Sequence, residues 1–130
     1  NTYLDWTLPP SSSATWLHAT AGSCSVSLLP PSPSSLRMYG KHLSNADQPS
    51  TWYPSAASSR SVGGDGVTTV VVKQGDTLHV PEGWMYARYF VGCTFAAEGH
   101  YLTEGSVGLH LDAERVECER GLAGKRRYPR

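Results

Sequence analysis

In the segment Lys73-Gln74-Gly75-Asp76-Thr77-Leu78-His79-Val80-Pro81-Glu82-Gly83-Trp84-Met85-Tyr86-Ala87, Gly75-Asp76 reads as a tight turn. Thr77 to Val80 reads as a strand, and Trp84 to Phe90 as another. Just upstream, Val67 to Val72 reads as a buried strand, and Cys93 to Ala97 adds one more downstream. Further back, residues 2 to 8 and 15 to 19 are short β-branched and aromatic runs, separated by Pro9-Pro10-Ser11-Ser12-Ser13. Ser25 to Leu29 alternates polar and apolar and stops at Pro30-Pro31, where two missing N–H groups end any ladder. Pro33-Ser34-Ser35 offers an N-cap ahead of Leu36-Arg37-Met38-Tyr39, with Gly40 placed to stop a short connecting turn of helix. Val107 to Arg120 is the one long helix, capped by Ser106, with Glu114, Glu117 and Arg120 on a polar side and Gly121 at its end. Many short strands with one late helix point to a β-sandwich or small barrel.

The chain has 130 residues, the length of one domain. Its 11 basic and 11 acidic residues cancel, so bulk charge gives no reason to bind nucleic acid or an acidic membrane. The apolar runs are far shorter than the ~18 residues that span a bilayer. Cys24, Cys93 and Cys118 are odd in number and widely spaced, which fits neither a disulfide framework nor a C-x-x-C motif, and a reducing intracellular compartment is expected. With neither an initiator Met nor a secretory signal at Asn1, the chain reads as a fragment of something longer. Residues 44 to 66 are rich in Ser, Gly, Pro and Asp, and a long mobile loop is expected there. Residues 125 to 130 form a basic tail.

The segment Lys73 to Ala87 follows the pattern K-Q-G-x-T-L-x-[IV]-P-x-G-W-[IM]-[HY]-A and resembles the JmjC domain. It is most similar to the histone lysine demethylases that join JmjC to PHD fingers or CxxC zinc fingers. Trp16-Leu17-His18 resembles the family's W-Y-H strand, Leu29-Pro30-Pro31 its L-I-P-P, and Leu36-Arg37-Met38-Tyr39 its L-x-L-[YF]. Gly99-His100-Tyr101-Leu102 resembles its G-[NH]-F-L, and Arg127-Tyr128-Pro129 its R-[YF]-P. The resemblance implies a double-stranded β-helix, the jelly-roll or cupin barrel, with a C-terminal helix and with Fe(II) and 2-oxoglutarate at its open end.

Iron in such oxygenases needs two His and one carboxylate, with positions left free for cosubstrate and oxygen. Counted back from Trp16-Leu17-His18 without a gap, the family's H-x-D falls on Thr7-Leu8-Pro9. Thr7 thus stands for the first His, and Pro9, with no side-chain donor, for the Asp. The distal His position is Tyr86, a residue that some family members also carry there. The 2-oxoglutarate lysine maps to Cys24 and its helper threonine to Leu4, neither able to supply positive charge. The resemblance therefore implies a degenerate site holding neither metal nor cosubstrate. A slip of two residues in the first strand moves Asp5 towards a ligand position, but residues 1 to 17 contain no histidine.

Other readings stand beside it. His18, His79 and His100 are a conceivable metal set, although a lone strand His is more often a hydrogen-bonded side chain. Cys24 or Cys93 could join one of them, without any zinc-like spacing. Trp6, Trp16, Trp52 and Trp84 fill a core more readily than they line a groove. Lys125, Arg126 and Arg127 could touch DNA phosphate weakly. The leading expectation is a nuclear, chromatin-associated JmjC-type domain that has lost catalysis and works as a structural or interaction module on chromatin proteins or a histone tail. Fungal anti-silencing proteins with degenerate JmjC domains are relatives of that kind. The first rival is an active Fe(II)- and 2-oxoglutarate-dependent demethylase built around Tyr86 and Asp5. The second is a cupin-like small-molecule binder with a pocket of Trp84, Tyr86 and Cys24. If inert, the barrel mouth is expected to be filled by Leu4, Pro9 and Cys24.

Overall fold

Two pairs of expected strands turn out to be continuous. A computed structural model describes residues 2–43 and 66–119, and in it the runs at 15 to 19 and 25 to 29 join into one strand, β2 (Ala14–Leu29). Those at 84 to 90 and 93 to 97 likewise join into β5 (Met85–Tyr101). The other strands are β1 (Thr2–Thr7), β3 (Thr68–Lys73) and β4 (Thr77–Val80). The helices are α1 (Pro33–Leu43) and α2 (Val107–Glu119), and 3-10 turns cover Pro10–Ser12 and Glu104–Ser106. The expected loop at 44 to 66, apart from Gly66, lies outside the described residues, as do Trp52, Gly121 and the basic tail.

Between the two runs that make up each long strand lies a bulge, not a strand end. The β2–β5 register slips between Ala19 and Ala21 and again between Ala21 and Ser23. Gly22 takes φ 77°, and a Cβ there would lie 2.5 Å from the Cys93 carbonyl oxygen, so the two strands cross too closely for any side chain.

All the pairings are antiparallel, in the order β1-β5-β2-β3, with β4 on the same edge of β2 as β3. β3 runs along Ser23 to Leu28 and β4 along Thr15 to His18, so each half of β2 has its own outer partner. The two halves then face each other. Arg88 is level with Val26, and Glu98 is level with Leu17, nine residues further along β2. A straight strand would separate them by about 30 Å at ~3.3 Å per residue, yet their side chains form an ion pair. The long ribbon therefore doubles back at the bulge. The result is a mainly antiparallel, two-layered arrangement of the jelly-roll or cupin type, with a helix after its last strand, as expected.

Between the layers lies one apolar cluster: Leu17, Ala19, Cys24, Val26, Leu28, Val72, Val80 and Tyr86, with Val70, Leu78, Trp84 and Phe90 packed against it. A second cluster, Trp6, Leu8, Leu29, Tyr39, Met85 and Ala87, lies on the other face of the β1–β5–β2 end, where α1 covers it. The alternation along β5 explains the division, since Met85 and Ala87 point one way and Tyr86 the other.

Three local expectations need correction. β3 is not buried: only Val72 is inside, while Val71 is 57% exposed, as suits a strand at the sheet edge. α1 is no mere connector, for it runs through Gly40 to Leu43 and places Tyr39 in the core. Its cap is Ser32, whose hydroxyl accepts the Ser35 N–H at 3.0 Å, with Pro33 leading the first turn. Ser106 does not cap α2, because its hydroxyl donates to the Thr103 carbonyl at 2.7 Å. α2 seats instead through Leu109, whose backbone oxygen accepts from Ser12 Oγ at 3.4 Å and whose side chain packs over Gly83 (φ 75°). No helix among the described residues is long and apolar enough to cross a membrane.

Candidate functional site

Register decides which side chains share the space between the layers. β1 pairs with β5 as Leu4 with Arg88 and Thr7 with Tyr86, so Leu4 and Thr7 share the face of Tyr86. β2 sets Leu28 opposite Tyr86, Val26 opposite Arg88 and Cys24 opposite Phe90. Four of the five positions expected from the resemblance, Leu4, Thr7, Cys24 and Tyr86, thus fall on one inner face. The fifth, Pro9, lies beyond the end of β1 in the turn that leads to β2, and is fully buried. The expectation that Leu4 plugs the mouth needs correction: Leu4 is 46% exposed and sits at the rim, while Pro9 and Cys24 are inside.

Asp5 does not join Tyr86. Next to inward-facing Leu4, Asp5 lies on the opposite face of β1 by simple alternation, and the register slip before Thr7 keeps Trp6 on that face as well. Asp5 Oδ2 lies 3.7 Å from Nε2 of His42 on α1, and Asp5 Oδ1 accepts the Trp6 N–H at 2.7 Å. Both contacts belong to the helix-covered side, where Trp6 packs against Tyr39. A ligand pair of Tyr86 and Asp5 is therefore not assembled.

Tyr86 is 4% exposed. Burial pushes its phenol above the usual value near 10, Arg88 draws it back, Glu98 raises it again, and the Thr15 hydroxyl favours the phenolate. Burial outweighs the rest, so the group is a neutral phenol over the physiological range. The Cys24 thiol is likewise raised by burial, with Arg88 opposing. Thr15 Oγ1 also lies 2.9 Å from Nδ1 of His100.

Sequence reasoning missed Arg88 and Glu98. The guanidinium carbon of Arg88 is 5.1 Å from the centre of the Tyr86 ring and 6.0 Å from that of Phe90. Nη1 bonds Oε2 of Glu98. The period-two series Tyr86, Arg88, Phe90 could have signalled an inward-facing Arg. Nothing in the sequence could place Glu98 beside it, because the bulge that brings them together was read as a break.

The three histidines do not converge. His100 bonds Thr15 inside; His18 Nδ1 lies 2.8 Å from Thr77 Oγ1, and His79 bonds Tyr101, both at exposed positions. No group of three or more His, Cys, Asp or Glu side chains suited to a metal occurs among the described residues. Trp6 is core, Trp84 packs against the inner cluster, and Trp16 is 38% exposed, its ring laid over Gly99. Trp84, Tyr86 and Cys24, the trio of the small-molecule reading, do meet in one cluster.

The residues do not fit a ferrous ion. A threonine hydroxyl opposite a neutral phenol, with proline in place of the carboxylate and Asp5 turned to His42, gives no set of two imidazoles and one carboxylate.

No family model matches the chain. Three curated relatives are similar along most of it. The JmjC domain-containing histone demethylation protein 1 of Yarrowia lipolytica is 24% identical over 129 residues, 99% of this chain and 24% of that protein. Lysine-specific demethylase 2A of Xenopus tropicalis is 26% identical over 130 residues, 98% of this chain and 10% of that protein. Lysine-specific demethylase 7A of Xenopus tropicalis is 28% identical over 120 residues, 90% of this chain and 12% of that protein. The chain spans at most about a quarter of the length of these relatives. Low identity sustained over the whole chain, together with the sheet topology, supports a JmjC-type domain.

Proposed function

We propose that the chain is the JmjC-type core of a nuclear, chromatin-associated protein of the histone demethylase family, and that it acts without iron or 2-oxoglutarate as a structural or interaction module. The pairing of Thr7 with Tyr86 carries the reading. Where the family's chemistry needs imidazole and carboxylate, this chain sets a hydroxyl against a buried phenol that stays protonated. Cys24, where a cationic clamp would bind the cosubstrate, is a buried thiol raised by the same desolvation. The relatives' names supply the link to histone demethylation. The subtype in view is that of demethylases with PHD or CxxC fingers, and of fungal anti-silencing proteins with degenerate sites. A histone tail or chromatin protein is the partner class, with weak DNA phosphate contacts from Lys125, Arg126 and Arg127.

The test is succinate release by the full chain given Fe(II), 2-oxoglutarate, oxygen and methylated histone peptides, beside Tyr86→Phe. Equal background from both proteins is expected. Succinate that depends on Tyr86 and on peptide methylation would favour the rival, an active demethylase with atypical ligands.

A further inference from the structure

The turn from β3 into β4 shows which backbone groups of β3 point outward. The Lys73 N–H donates to Asp76 Oδ2 at 2.9 Å, and the Lys73 carbonyl accepts the Asp76 N–H at 2.9 Å. Both groups of Lys73 thus face away from Ser23, its partner on β2. In an antiparallel ladder such residues alternate with those that bond the neighbouring strand. Val72, Val70 and Thr68 therefore bond β2, whereas the N–H and C=O of Val71 and Thr69 point to the open side, where no described strand pairs with them. An edge of this kind is a template for another strand.

Beside the edge lies a cleft of about 230 Å³, lined by Val70, Val71, Val72, Asp76, Thr77 and Leu78. A pocket for a drug-sized ligand measures roughly 300–1,000 Å³, so this one suits a single apolar side chain. Val72 belongs to the interlayer core, and Val70 and Leu78 pack against it, so the cleft opens sideways into the space between the layers. The outward amides and the cleft meet at Val71. A strand laid along β3 would set its residue opposite Val71 on the outer face and the two flanking residues towards the cleft. Lys73, two residues on, is an exposed cation on the same face as Val71.

We propose that the β3 edge docks an extended peptide, which adds a strand antiparallel to β3, seats one apolar side chain in the cleft and sets an acidic residue beside Lys73. Main-chain bonds to Val71 and Thr69 hold the peptide, while cleft and charge select its sequence. A second copy of the chain suits the edge less well, because its own inward valines already line its own cleft. Pairing β3 with itself about Val70 and Val71 also sets Lys73 opposite Thr68 and supplies no acid. The edge lies across the sheet from β1, so the proposal goes beyond the function proposed above and holds whether or not the face of Tyr86 takes iron.

The probe is a dye-labelled peptide, Ser-Glu-Leu-Thr-Val-Thr-Ser, titrated with the full chain and followed by fluorescence anisotropy. Saturable binding is expected, and a peptide with Ser in place of Leu should bind about tenfold or more weakly. Lys73→Glu should weaken binding by about threefold, a difference that high salt removes. Val71→Pro deletes the outward N–H at an edge position that tolerates proline, and should cost about three- to tenfold. Lys73→Glu leaves the β2 ladder untouched, so the result does not hang on the proline variant folding. Absence of saturation, or equal affinity for the Leu and Ser peptides, would overturn the proposal. So would a wild-type dimer that Val71→Pro abolishes and that excludes the peptide, since it would assign the edge to a second copy.

Discussion

Arg88 and Glu98 are ten residues apart on one strand, yet their side chains form an ion pair across the space between two layers. The contact exists because β5, and β2 with it, bends double at the slip around Ala21 to Ser23. Glu98 is more than a third exposed, so solvent screens the pair and its net contribution is modest. A double-mutant cycle with Arg88→Met and Glu98→Gln should give a coupling of about 0.5–1 kcal/mol that shrinks in high salt. Strict additivity in urea melts would show that the layers close without it.

The bend itself depends on Gly22. Its φ of 77°, and the 2.5 Å that would separate an added Cβ from the Cys93 oxygen, leave no room for alanine. Gly22→Ala should lose about 1–3 kcal/mol, measured from the urea midpoint. Gly66, where a Cβ meets nothing within 4 Å, is the control and should tolerate alanine with little change.

The strands themselves were legible from alternation and turn chemistry: β1, β3, β4 and the Gly75-Asp76 turn lie where the sequence puts them. α2 was legible too, although Ser106 was read as its cap. What could not be read was continuity. The runs at 15 to 19 and 25 to 29, and those at 84 to 90 and 93 to 97, read as separate strands, but a glycine that ends one strand and a glycine that bulges a longer one are the same letter, and only the partner strand distinguishes them. The inner positions Thr7, Cys24 and Tyr86 followed from the resemblance. Arg88 could have followed from period two along β5, whereas Glu98 required the bend. Asp5 is left open by counting, and its alternation with inward-facing Leu4 sets it beside His42.

Restoring the family's ligands should weaken the fold when no metal is present. Thr7→His with Pro9→Asp sets an imidazole against Tyr86 and places a carboxylate where Pro9 is fully buried. The double variant should be less stable than the parent by at least ~2 kcal/mol in chelated buffer. Parental stability would show that the mouth is not packed as described.

Alkaline pH should erode stability through the two raised groups. Cys24 and Tyr86 are both held protonated by burial, so each contributes fully below its unfolded-state value and loses that contribution as the pH rises through it towards the folded value. The loss should begin near pH ~8.5 for the thiol and ~10 for the phenol. Urea midpoints for the wild type and Tyr86→Phe, taken from pH 7 to 11, should diverge above about pH 10, with the variant less sensitive. Parallel curves would mean that Tyr86 is not desolvated.

The most direct measurement is anaerobic calorimetric titration of the chain with Fe(II), with and without 2-oxoglutarate. The account predicts no stoichiometric binding in a folded sample, because Thr7, Pro9 and a protonated Tyr86 cannot hold the ion. Tight binding of one ferrous ion, strengthened by 2-oxoglutarate, would contradict it.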